Sequence, residues 1–159
     1  MSKHPTSHLD SEDAEMAHFF VYGTLKRGQF RERCWPEKPE LVRSAWARGN
    51  LYDLGAYPAM TAGDTPIIGE LWSFLSHEEK AVIRVLDEIE GTNQPGEPNL
   101  YDRVRLTVRT IETSEEFVAN AYLYSDLSAL RAYQPMQPAI LDERTQIHYA
   151  SWSFDFRSE

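Results

Sequence analysis

Residues Phe20 to Gly28 have the composition to hold an anion or a polarised carbonyl oxygen. An apolar run, His18 to Val21, reads as a buried strand that breaks into a loop bracketed by Gly23 and Gly28. Glycine permits turns that a side chain would block and lets a ligand approach the peptide N–H groups. A strand ending in such a loop presents several donors to one point, although the same composition also makes an ordinary turn. A carboxylate with chemical potential closes a second segment. Ser76 to Gly91 reads as an amphipathic helix, with Ser76 and Glu79 in a capping-box pattern and Gly91 as the left-handed stop. Val82, Val85, Leu86 and Ile89 recur at the spacing of one apolar stripe. Glu90 then falls roughly 80° from the middle of that stripe, on the border between core and solvent. Partial burial and the negative end of the helix dipole both disfavour its anion, which raises its pKa and its use as a base. From the residues alone, Glu90 is either that base or a solvated border residue.

The loop Tyr22-Gly23-Thr24-Leu25, the segment Leu86 to Gly91, and the later Tyr101-Asp102-Arg103 stand in an order and spacing that resemble the gamma-glutamylcyclotransferase-like (AIG2-like) family. Gly69-Glu70-Leu71 fits the same pattern, and Tyr22 to Gln29 looks most like the gamma-glutamylamine cyclotransferase branch. The resemblance covers roughly residues 18 to 125. It implies a fold, a small mixed β-barrel with flanking helices, where the sequence by itself supports α+β.

It also implies a reaction. A gamma-glutamyl compound carries a free α-amine that can attack its own side-chain amide carbonyl, closing the ring of 5-oxoproline and expelling the attached amine. A tethered nucleophile has an effective molarity of up to ~10⁵–10⁸ M when its geometry is held. By carry-over, Glu90 is the proton carrier, and the N–H groups of Gly23, Thr24 and Leu25 hold the substrate carboxylate or carbonyl oxygen. Tyr22 closes one wall, while Gly55, Tyr57, Tyr101 and Tyr124 are further contacts. Glu70 either orients the substrate amine or pairs with an arginine such as Arg103. The reaction implies no cofactor and no metal. The rival reading is a binding or signalling module of the same fold without turnover.

These groups need elements to position them. Strand candidates are His18 to Tyr22, Ala45 to Leu54, Ile67 to Phe74, Tyr101 to Thr110 and Glu116 to Tyr124, with a loop from Tyr52 to Met60. Val104, Leu106 and Val108 alternate with Arg103, Arg105 and Thr107, and Ile111 to Glu115 makes a turn to a hairpin partner. Residues 1–17 read as a flexible extension and 18–159 as one domain. The aromatic end of the chain, Tyr149 and Trp152 to Phe156, reads as an edge strand, a partner contact or a cover for the pocket mouth.

Composition excludes other classes. A net charge of −9 argues against a nucleic-acid partner. A single cysteine, Cys34, forms no internal bridge and fits a reducing cytoplasm. No apolar run approaches membrane-spanning length, so the expected partner is a small molecule, with the chain a monomer or weak homodimer. Gly23 and Gly28 have P-loop spacing, but Gln29-Phe30 stands where Lys-Ser/Thr is required. The five histidines show no metal-site spacing. Glu70 and Glu90 form a glycosidase-like pair only if space brings them together.

Overall fold

The computed structural model describes residues 16–154. The expected extension lies outside the described residues, apart from Met16 and Ala17, which open the first strand. The elements run β1 (Met16–Val21), β2 (Leu41–Asp53), β3 (Pro58–Leu75), α1 (Glu79–Glu90), β4 (Tyr101–Thr110), β5 (Glu116–Tyr124) and a small hairpin of β6 (Ile140–Asp142) with β7 (Ile147–Tyr149). The first five strands close a barrel in the order β1-β3-β2-β4-β5. All its contacts are antiparallel except the closing one, where Phe19 of β1 meets Asn120 of β5 in parallel. Closure removes the sheet edges that an open sheet would expose.

Strand alternation explains why the apolar run in β1 is continuous. Phe20 points into the barrel with Leu51, Met60, Ile67, Leu71 and Val108. Phe19 and Val21 point outward, where they pack with Trp72, Phe74, Tyr101 and Tyr122 under Val82 and Leu86 of α1. A strand buried on both faces has no polar phase. The helix thus lies outside the barrel, packed with residues of β1, β3, β4 and β5.

Several boundaries differ from the sequence expectation. β2 and β3 pair from Asp53 opposite Pro58 to Leu41 opposite Ser73, so both are longer than expected. The Tyr52–Met60 loop shrinks to a turn at residues 54–57, closed by the Leu54 N–H on the Tyr57 carbonyl. Pro58 tolerates the first position of a strand, where no ladder donor is demanded of it. The helix opens differently too: Ser76–Glu78 forms a 3-10 turn, and neither it nor α1 has a side-chain cap. Instead of completing a capping box, the Glu79 carboxylate accepts from Asn120 Nδ2 at 3.2 Å, tying α1 to β5. Gly91 does end the helix in the left-handed region, at φ 65°, as expected.

The C-terminal segment folds back on the barrel. Ala150 bridges to Ile67, and its N–H and carbonyl bond to Pro66 and Ile68. Tyr149 and Trp152 are buried, and Trp152 Nε1 donates to Asp53 Oδ1 at 2.9 Å. The described aromatics of this segment are therefore core, while residues 155–159 lie outside the described region.

Candidate active site

The chain from Tyr22 to Arg31 makes a tight, well-held turn. Lys26 N–H bonds the Gly23 carbonyl at 3.1 Å and Arg31 N–H bonds the Thr24 carbonyl at 2.9 Å. The Glu70 carboxylate grips its far side: Oε1 accepts from Arg27 N at 2.9 Å and Oε2 from Arg27 Nε at 3.1 Å. Trp72 Nε1 holds the same carboxylate at 3.1 Å. Lys26 Nζ donates to the Trp152 carbonyl, and burial lowers its pKa. The N–H groups of Gly23, Thr24 and Leu25 have no acceptor among the described residues. Buried donors without partners are uncommon, because an unmade hydrogen bond away from water is costly.

Gly23, Thr24 and Leu25 line an open pocket of about 600 Å³, solvent at its mouth included. Its other walls include Tyr22, Arg31, Tyr57, Pro58, Ile89, Glu90, Leu100, Tyr101 and Tyr122. Three of the four tyrosine hydroxyls around the pocket are already engaged. Tyr22 donates to the Tyr122 carbonyl, Tyr101 to the Pro58 carbonyl at 2.7 Å, and Tyr122 to Asp87 Oδ1. Burial pushes the pKa of each of these three phenols up, which keeps them neutral. They shape the cavity; they are not placed to carry protons.

Glu90 is different. It ends α1 inside this pocket, with no hydrogen-bond partner among the described residues. Burial raises its pKa to about 7, and the charge of Arg31 holds it from rising further. A carboxyl group that titrates near neutrality can take and return a proton with little penalty either way. Among the pocket-lining residues, Arg31 and Glu90 are the charged pair, and they form no ion pair. Among the described residues, no group of three or more histidine, cysteine or acidic side chains gathers to hold a metal.

The structure thus brings together Tyr22, Gly23, Thr24, Leu25, Tyr57, Glu90 and Tyr101 of the expected residues. Three others stand apart from the pocket wall. Gly55 sits in the β2–β3 turn, its N–H on Asp53 Oδ1 at 2.9 Å. Tyr124 packs edge-on behind Tyr101, with ring centroids 5.3 Å apart. Glu70 faces the back of the Gly23 turn, so it shares no cavity with Glu90 and the glycosidase-like pairing fails. Its partner is Arg27; Arg103 instead makes a two-pronged pair with Asp87, at 3.0 and 3.2 Å. No tail residue among those described lines the pocket mouth. Sequence reasoning passed over Arg31, Pro58, Ile89, Leu100 and Tyr122. Tyr122 was the most accessible of these, since it shares a strand face with Tyr124.

Comparison with known proteins bears on what this pocket serves. The pattern of the family described as "Gamma-glutamyl cyclotransferase, AIG2-like" matches residues 19–154. The gamma-L-glutamyl-butirosin B gamma-glutamyl cyclotransferase of Niallia circulans is 32% identical over 112 residues, covering 69% of this chain and 68% of that protein. The gamma-glutamylaminecyclotransferase of Rattus norvegicus is 30% identical over 110 residues, covering 61% of this chain and 66% of its own. The crystal structure of an AIG2-like protein from Mus musculus shares the fold, with a TM-score of 0.55 at 23% identity over 74% of this chain and 84% of that one.

Proposed function

Because the chain belongs to the gamma-glutamyl cyclotransferase, AIG2-like family, we propose that it releases 5-oxoproline and a free amine or amino acid from a gamma-glutamyl compound, with Glu90 as the proton carrier. The observation that carries this reading is the juxtaposition of Glu90 with three acceptor-free amides across one pocket.

The ionised Glu90 takes a proton from the substrate α-ammonium, whose free pKa is near ~8. The freed amine attacks the γ-carbonyl carbon, a C–N bond forms, and the carbonyl electron pair moves onto oxygen. Donors fixed beforehand stabilise that developing negative charge without reorganising. The turn at Gly23 offers such donors, for the carbonyl oxygen or for the substrate carboxylate. Glu90 then returns its proton to the leaving nitrogen as the ring nitrogen sheds one to solvent. The old C–N bond breaks, the carbonyl re-forms, and 5-oxoproline leaves with the amine. The name of the rat relative favours an amine as the leaving group, and that of the Niallia circulans relative names gamma-L-glutamyl-butirosin B. Tyr57, Leu100 and Ile89 offer the apolar walls it would lie against.

The test is 5-oxoproline release from a panel of gamma-glutamyl amines and dipeptides, with Glu90→Gln as the control. Turnover of one or more members, lost in the variant, supports the reading. Tight binding of a gamma-glutamyl ligand with no turnover of any member makes the chain a binding module.

A further inference from the structure

The proposed reaction contains two negative centres, and the pocket contains two separate sets of donors. The substrate α-carboxylate is charged throughout, while the γ-carbonyl oxygen becomes negative only as the ring closes. The three consecutive amides of Gly23, Thr24 and Leu25 belong to one turn, a backbone form that can aim successive N–H groups at one centre. The α-carboxylate sits on the carbon that bears the α-amine, so its receptor must lie next to the group that deprotonates that amine.

We infer that Arg31 is the receptor for the substrate α-carboxylate, which leaves the Gly23–Leu25 amides for the carbonyl oxygen. The assignment rests on the cyclotransferase reading and extends it. Arg31 lines the same pocket as Glu90, half-buried, without an ion pair among the described residues. Both residues line one cavity without forming an ion pair, and the Arg31 charge lowers the Glu90 pKa. Opposite charges held slightly apart match an α-ammonium and an α-carboxylate on a single carbon. The placement is built in, because the Arg31 N–H bonds the Thr24 carbonyl at 2.9 Å. A backbone bond thus ties the Arg31 segment to the amide turn. The Phe30 ring lies 5.4 Å from the guanidinium carbon and flanks its face. A guanidinium suits this task through its planar pair of donors.

A functional link follows. The free enzyme holds Glu90 down with the Arg31 charge. When a carboxylate neutralises that charge, Glu90 becomes a stronger base at the moment a proton must be taken.

The experiment pairs Arg31→Gln and Arg31→Lys with two ligand series: a turned-over gamma-glutamyl amide and its α-carboxamide analogue, and 5-oxoproline and its carboxamide. Kinetics and calorimetric binding are read together, with thermal melts to confirm folding. Arg31→Gln is expected to weaken 5-oxoproline binding and raise KM for the acid substrate about 10- to 100-fold. Measured above the acid limb of both proteins, it leaves the carboxamides unchanged, and Arg31→Lys recovers part of the loss. The acid limb of kcat/KM moves to higher pH in Arg31→Gln. Equal losses on acid and carboxamide, no loss on either, or no 5-oxoproline binding by the wild type would overturn the assignment. Binding of 5-oxoproline that depends on Arg31 with no turnover of any amide would sink the cyclotransferase reading and leave the assignment standing.

Discussion

A single methyl group at Gly23 should disable the site without unfolding the protein. Gly23 does not sit at positive φ, so its need for glycine is not backbone strain. It is contact: a Cβ there would lie 2.6 Å from Pro58 Cγ and 2.8 Å from Cδ. Reaching ordinary carbon–carbon separation, about 3.5 Å, requires the turn and the proline to part by roughly 0.9 Å. Neither can yield freely. Pro58 is a rigid ring at the start of β3, and its carbonyl accepts the Tyr101 hydroxyl at 2.7 Å. The turn is held from behind by Glu70, which accepts from Arg27, and by the Trp152 carbonyl, which accepts from Lys26. The displacement therefore falls on the amides and on the Tyr101 wall. A misplacement of ~1 Å can cost ~100-fold in rate, so Gly23→Ala should lose about 10- to 100-fold in kcat/KM for 5-oxoproline release. Removing the opposing ring, in Gly23→Ala/Pro58→Ala, should restore most of that loss. A Gly23→Ala variant with wild-type kcat/KM, or a double variant no better than the single one, refutes the reasoning.

Three further outcomes follow from the same structure. Glu90 has a folded pKa of about 7 against an ordinary 4.5, so protonated Glu90 stabilises the fold at low pH. That contribution is fully present below pH 4.5 and is lost as pH rises to 7. Above pH 7, Glu90→Gln should then be more stable than wild type by up to ~3 kcal/mol in urea unfolding, with the gap closing in acid. Asp87→Ala strands Arg103 and the Tyr122 hydroxyl together and should destabilise by about 2–3 kcal/mol. Trp152→Ala opens a void beside the barrel core and frees Asp53, with an expected loss of about 3–5 kcal/mol by chemical denaturation.

What could be read in the sequence was local. The β4–β5 hairpin alternates cleanly, and its strand bounds and turn match expectation. The helix stripe and Gly91 were equally plain, and they placed Glu90 at a partly buried terminus. Long-range partners were not legible. Glu70 pairs with Arg27 because the register sets Val21 opposite Glu70, which brings the carboxylate under the turn that follows β1. No spacing rule carries that information. Arg31 reaches the pocket through a turn folded back on Thr24, and Trp152 is core because its segment bridges to β3. The capping-box pattern at Ser76 misled because Asn120 offered Glu79 a tertiary partner. Motif order pointed to residues that gather at one pocket; tertiary pairing decided which of their neighbours line it.

The claim on which the account turns is that Glu90 exchanges the proton in front of the Gly23 amides. The most direct measurement is the pH dependence of kcat/KM for 5-oxoproline release by wild type and Glu90→Gln. The wild type should rise about tenfold per pH unit to a bend near 7, the Glu90 value. The variant should fall by ~100- to 10,000-fold and lose that bend, while still binding 5-oxoproline. A variant that keeps both the rate and the bend would contradict the account.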